Sequence, residues 1–404
     1  MNCCQLKKDV SNVHYQGACK TLRSSINHVL EWAEKNDYQG YEPYDGLTSY
    51  LRVVTFGHPL VERILEQMVL RCPFHVRPLL GVPSQRSFSG MGLFAKGYIR
   101  MWSLTGDEQY KNKAISCLDW LLNNYSQGFS GYCWGLNYDY TFRLGHRPKH
   151  TPDVVTTSII ADAFLDSCAF LKIQKHRDAV NSICEFLTKD VPFEKDADGI
   201  CISYVPTKQQ SIHNSNMLVA AVLSKASSLL DNTSMASVAK DAVSYTCCKQ
   251  LSNGAWYYGE APNLRWIDNW HTGYILDSLK DYSEYTEDQS FSQNLVSGLS
   301  YYTSSFINDD GCPNFYENRK RPIDIQCAAQ TIETLSYFSN VQNTNSLQLA
   351  VSVAEWTIKN MQDKDGYFYY RLLPWKKVKI PMIRWGQATM FSALSYLLSK
   401  LNNT

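Results

Sequence analysis

Between Trp256 and Gly273 the chain reads WYYGEAPNLRWIDNWHTG, its densest run of chemically able side chains. Asp268, His271 and Thr272 stand at i, i+3 and i+4, so on a helix they share one face. A carboxylate beside an imidazole, with Tyr257 and Tyr258 just upstream, is a set that moves protons: one group takes a proton and a protonated partner returns one. Tyr257, Tyr258 and His271 are therefore the base and acid candidates, with Glu260 and Asp268 as groups that orient them. Arg265, flanked by Trp266, offers a planar fork to a carboxylate. Plainer roles compete. Asp268 suits a helix N-cap, and His271 suits a hydrogen-bonded core position.

Polar residues recur at the openings of other apolar helices: Asp153 with Thr157, His213 with Asn214 and Asn216, Asp324 with Gln326, and Arg384 with Gln387. Buried polar groups are costly unless they face water or a polar ligand, so together they predict a wet cavity. The loops before these helices carry cations, among them Arg143, Lys208, Arg319 and Arg371. Helix N-termini attract anions as well. Aromatic residues crowd the same places: Tyr138, Tyr140, Trp266, Trp270 and Trp385 offer rings for sugar faces and hydroxyls for polar contact. The ligand this suggests is an anionic oligo- or polysaccharide.

These helices need something to gather them, and a repeat supplies it. A turn-plus-aromatic element recurs at 127–135, 196–204, 249–257, 308–316 and 362–370, centred on Gly131, Gly199, Gly254, Gly311 and Gly366. Each turn predicts a positive φ and a short strand or hairpin. After each element comes an apolar helix, beginning near Asp153, His213, Asp268, Asp324 and Met382, with a sixth near Gly90. Helices apolar almost all round, such as 217–229, are buried on every side. Amphipathic helices alternate with them at 19–35, 108–126, 175–189, 233–251, 288–307 and 345–361. Six inner and six outer helices predict an all-α fold, an (α/α)6 toroid or barrel with short hairpin-like inserts. One domain is expected over 1–404, with 1–17 as an N-terminal extension.

Composition narrows the partners. Hydrophobic residues at 44% supply a large core, and 39 Lys+Arg against 38 Asp+Glu leave a net charge of +1, too little for a duplex nucleic-acid binder. No stretch reaches the length of a membrane span, and the N-terminus lacks a signal-like apolar run, so a cytoplasmic location is expected. Thirteen scattered cysteines without a CxxC pattern read as core thiols, and the chemistry above requires no metal or organic cofactor.

The 256–273 segment resembles a motif in the C-terminal helical domain of glucuronyl C5-epimerases: Ala-Pro-Asn-Leu, then Arg-Trp, then an aromatic residue with His-Thr. The matching residues are Ala261, Pro262, Asn263, Leu264, Arg265, Trp266, Trp270, His271 and Thr272. The resemblance implies a toroid catalytic domain that inverts C5 of hexuronic acids using tyrosines and a carboxylate. The spacing from Trp266 to His271 is longer than in that family, and Trp270 stands where the family places a catalytic Tyr. Over most of its length the chain also looks like toroid proteins of bacterial and archaeal polysaccharide gene clusters, which implies a sugar-polymer setting. Expected activities are thus uronate C5-epimerisation or lysis. The alternatives are a glycoside hydrolase using two of Asp153, Glu260, Asp268, Glu317 and Asp324, or a non-catalytic glycan-binding scaffold.

Overall fold

The structure, a computed structural model, describes residues 3–142, 145–207, 209–341 and 344–402; Arg143 and Lys208 lie outside them. After α1 (Cys3–Lys35) and α2 (Pro59–Arg71), helical hairpins follow one another: α3 (Phe88–Thr105) with α4 (Glu108–Leu122), α5 (Val154–Phe170) with α6 (Gln174–Lys189), and α7 (His213–Leu230) with α8 (Thr233–Cys248). Then come α9 (Asn269–Thr286) with α10 (Ser292–Phe306) and α11 (Ile325–Tyr337) with α12 (Ser346–Met361), while α13 (Thr389–Leu401) pairs with α1. The extension expected over 1–17 is helical from Cys3 onward.

Helices α3, α5, α7, α9, α11 and α13 each pack against the next, and α13 packs back on α3, so six inner helices make a ring with six outer partners. This is the (α/α)6 toroid. The inner helices start where the polar residues do: Asp153, Asp268 and Asp324 are N-caps whose carboxylates accept from Thr156, His271 and Gln326 backbone N–H groups at 2.7, 3.1 and 2.9 Å. Each such cap contributes about 1 kcal/mol. Apolar residues between the rings, such as Phe164, Leu223, Leu279 and Leu394, are wholly buried. Burial of each contributes about 1.5–3 kcal/mol. Among the described residues no helix is long and apolar enough to cross a membrane.

The repeat glycines do something other than the turn chemistry alone. A Cβ on Gly131, Gly199, Gly254, Gly311 or Gly366 would lie 1.8, 2.1, 2.4, 2.6 or 2.3 Å from the carbonyl oxygen of Ser182, Asp241, Ser297, Ser352 or His28. Those carbonyls belong to α6, α8, α10, α12 and α1, so each insert presses against the outer helix of the next hairpin. Only a residue without a side chain permits that approach. Positive φ holds at four of the five but not at Gly131, where close contact alone demands glycine. Full strand pairing follows the repeat only at β3 (Phe193–Asp196) with β4 (Gly199–Ile202); β1 (Tyr140–Phe142) and β2 (Gly145–Arg147) pair in a loop outside it. Strand β5 (Ile323–Asp324) pairs with β6 (Arg371–Leu372), which pairs with β7 (Lys377–Val378).

Two features escape the periodic pattern. Residues 36–87 form an extended insert carrying α2, and it is fastened by the buried Arg77–Asp45 pair at 2.8 Å and by Arg384–Glu42 at 3.0 Å. The inner helices are also not apolar all round. Their C-terminal halves send Asp162, Lys225 and Asp281 into a lower chamber of about 560 Å³, where Lys225 lies 2.7 Å from both acids. Arg100 and Glu333 pair there at 2.5 Å. Acids outnumber bases in this lining, with Asp166, Asp277 and Glu284 beside Lys96 and Lys400, and the charges are spread over separate inner helices, so no one segment of sequence announces them.

Candidate functional site

A cavity of about 870 Å³ opens where the inner helices begin. Of the residues singled out above, it is lined by Tyr140, Asp153, Tyr257, Tyr258, Arg265, Trp266, Asp268, Trp270, His271, Arg384 and Trp385. Residues at the starts of α5, α7, α9 and α11, in the turn leading into α13 and on several inserts thus reach one bowl, which is the convergence the ring requires.

Its centre is a hydrogen-bonded set on the first turn of α9. Asp268 Oδ1 caps the helix by accepting from the His271 N–H, while Oδ2 lies 2.7 Å from His271 Nδ1 and accepts from Trp266 Nε1 at 2.9 Å. A carboxylate only accepts, so Nδ1 carries the hydrogen and Nε2 is left as the basic nitrogen. N-cap and orienting roles are therefore served by one side chain. The Tyr258 ring stacks on Trp266 at 4.4 Å between centroids and stands 4.5 Å from the imidazole. Burial raises the Tyr258 phenol above its ordinary value, and the Asp268 charge adds to this, so the hydroxyl keeps its proton.

Aromatic rings wall one side. Trp270 packs 5.0 Å from Trp385 and 5.1 Å from Phe315, and Tyr44 from the insert meets Trp385 edge-on at 6.1 Å. Cations line the bowl: Arg63 and Arg71 from α2, Arg265, Arg319, Arg371 and Arg384. The carboxylates on the same wall are Asp153, Asp268 and Glu317. Arg371 is steered by the buried Asp324 at 2.5 Å, and Arg384 by Glu42. Burial pushes the Asp153 carboxyl up, against hydrogen bonds from Thr156 that pull it down. Glu317 accepts from the Tyr301 hydroxyl.

Several expected residues serve elsewhere. Glu260 is not in the bowl wall; it pairs with His213 Nε2 at 2.7 Å, and that hydrogen bond holds its carboxyl below the usual range. His213 is buried behind the wall with Nδ1 unpartnered. Tyr138 is fully buried in the core. Asp324 acts one step back, through Arg371. Asn216 accepts from Ile202 N at 2.9 Å and donates to Ala242 O at 2.8 Å, and Gln387 bonds both backbone groups of Phe368 at 2.7 and 3.0 Å. Thr157 does the same for Trp134. The physical reason is common to the three. The first turn of an inner helix has two polar directions, one toward the axis and one toward the insert behind it, whose backbone groups need partners. Periodicity does not separate those directions.

Tyr44, Gln67, Tyr204 and Tyr274 complete the wall, and no helix-start or cation pattern in the sequence marks them. Asn214 and Gln326, polar starts of α7 and α11, do face the cavity as their positions in the ring predict. Tyr44 and Gln67 come from the insert, which carries no repeat signal.

No family model and no curated sequence matches the chain. Solved structures do resemble it. The cellobiose 2-epimerase of Bacillus thermoamylovorans superposes with a TM-score of 0.61 at 9% identity, over 80% of this chain and 90% of that one. A D-mannose isomerase gives 0.60 at 13%, over 79% and 88%. A GH76 α-mannanase of Bacteroides thetaiotaomicron gives 0.60 at 13%, over 78% and 86%. At these identities the likeness is one of architecture: the chain is an α/α toroid of the kind on which sugar epimerases, isomerases and glycoside hydrolases are built.

Proposed function

We propose that the chain is a carbohydrate-active enzyme that abstracts the proton α to the carboxylate of a uronic-acid residue in a glycan, as a C5-epimerase or lyase. The observation that carries this reading is the Asp268–His271 pair, set in an aromatic bowl whose cations outnumber its acids. His271 Nε2 takes the C5 proton, and the Asp268 carboxylate stabilises the imidazolium that results. Arg265, with Arg371 or Arg384, holds the substrate carboxylate as charge develops on it. In epimerisation Tyr258 or Tyr257 returns a proton to the opposite face of C5. In lysis the electron pair at C5 forms a C4–C5 double bond, the C4–O bond breaks, and the tyrosine proton leaves with that oxygen. The sugar epimerases among the structural likenesses and the local resemblance of 261–272 to glucuronyl C5-epimerases support this reading.

The second reading is a glycoside hydrolase, favoured by the raised Asp153 carboxyl, which suits a general acid, and by the GH76 likeness. One experiment separates the two. Uronate-containing and neutral oligosaccharides are incubated with the protein in deuterated water. Deuterium at C5 or an ultraviolet-absorbing unsaturated product supports proton abstraction; new reducing ends without either overturn it in favour of hydrolysis.

A further inference from the structure

Ten of the sixteen large apolar side chains that stand exposed among the described residues lie between Tyr50 and Leu79. Helix α2 explains part of this concentration, because it is inverted. Its acids face inward: Glu62 meets Arg52 and His146 at 3.2 and 3.1 Å, and Glu66 accepts from Thr141 N at 2.6 Å. Its outward stripe is Leu60, Ile64 and Met68 at i, i+4 and i+8, each 58% exposed or more. A surface helix in water carries the opposite pattern.

The flanking turns extend this face. Phe56 is 93% exposed at a left-handed position (φ 49°) closing a 3₁₀ turn, Val53 is 76% exposed, and Leu79 is 77% exposed and tied to Tyr50 through its carbonyl at 2.9 Å. Beside it Lys376 Nζ sits 3.3 Å above the Phe74 ring, next to Trp375 at 70% exposure. Charge is one-sided. The only acids between residues 46 and 82 are the buried Glu62 and Glu66, whereas Arg63 and Arg71 are exposed.

We infer that this face, built by the 50–79 segment with Trp375 and Lys376, docks the protein on an anionic lipid bilayer. Apolar side chains that jut singly from turns insert into a fluid layer that closes around them. Arginines and lysine meet lipid phosphates, and an exposed tryptophan settles at the headgroup level. The same helix lends Arg63, Gln67, Leu70 and Arg71 to the cavity wall, so docking sets the mouth beside the membrane. This binding does not depend on the proposed activity.

The test is flotation of the full chain with vesicles of phosphatidylcholine alone or with ~30% phosphatidylglycerol. Binding to the anionic vesicles at least about tenfold tighter than to the neutral ones, released by ~0.5 M salt, is expected. The triple variant F56S/I64Q/M68Q, unchanged in circular dichroism and melting, is expected to lose it. Should that variant melt early, V53S/L79Q replaces it with the same expectation. Wild-type protein that stays unbound to both vesicles, or variants that float like wild type, overturn the inference. So does a wild-type dimer that these substitutions convert to monomer, since the face would then join two copies of the chain.

Discussion

Asp268 and His271 form one unit: the same carboxylate that begins α9 through its Oδ1 fixes the imidazole through Oδ2 at 2.7 Å. Helix initiation and imidazole orientation are thus mechanically linked, because the cap sets where the carboxylate stands and the i+3 spacing sets where the ring must reach it.

Replacing His271 with Ala is expected to lower turnover on a uronate glycan by about 10²- to 10⁴-fold, the range of a positioned base. Asp268→Asn keeps an effective cap and removes the charge. It is expected to lower turnover about as far while shifting the melting temperature by only a few degrees. Rate measurements beside thermal melts check the separation; a large loss of stability in Asp268→Asn with unaltered turnover would contradict it.

Arg265 is exposed, its guanidinium 5.9 Å from the Tyr257 ring centroid and its Nε donating to the Glu260 carbonyl at 3.3 Å. Arg265→Ala is expected to raise KM for uronate substrates about tenfold, a loss of about 1.4 kcal/mol, with no equivalent change for neutral analogues. Steady-state kinetics on matched charged and neutral oligosaccharides measure it.

Gly131→Ala places a methyl group 1.8 Å from Ser182 O, a backbone atom that cannot swing aside. Because φ there is not positive, the loss isolates the close approach from backbone strain. Destabilisation of at least about 2–3 kcal/mol is expected from denaturant unfolding.

Burial raises the Glu66 carboxyl from 4.5 to about 8, against the hydrogen bond from Thr141 N. Its folded-state value lies above its unfolded one, so its contribution to stability is fully present below about 4.5 and gone once the pH has passed about 8. Glu66→Gln stays neutral throughout. The stability difference between wild type and variant is therefore expected to shrink or reverse between pH 5 and 8, by on the order of a few kcal/mol. Paired unfolding curves across that interval record it.

The helix order, the ring and its six inner starts were legible in the sequence, because each rests on local signals: apolar period, Asp caps before helices, and glycine turns at a regular spacing. The cluster at 256–273 was legible for the same reason, as Asp268 and His271 lie within one helical turn. Tertiary structure decided what spacing cannot. It turned Thr157, Asn216 and Gln387 toward the inserts and Asp153 and Arg384 toward the bowl, although all sit near helix starts. It paired Glu260 with His213 across 47 residues and brought Glu42 to Arg384 across 342. Such choices depend on which backbone groups and charges arrive from distant segments when the ring closes, and those neighbours have no fixed offset along the chain.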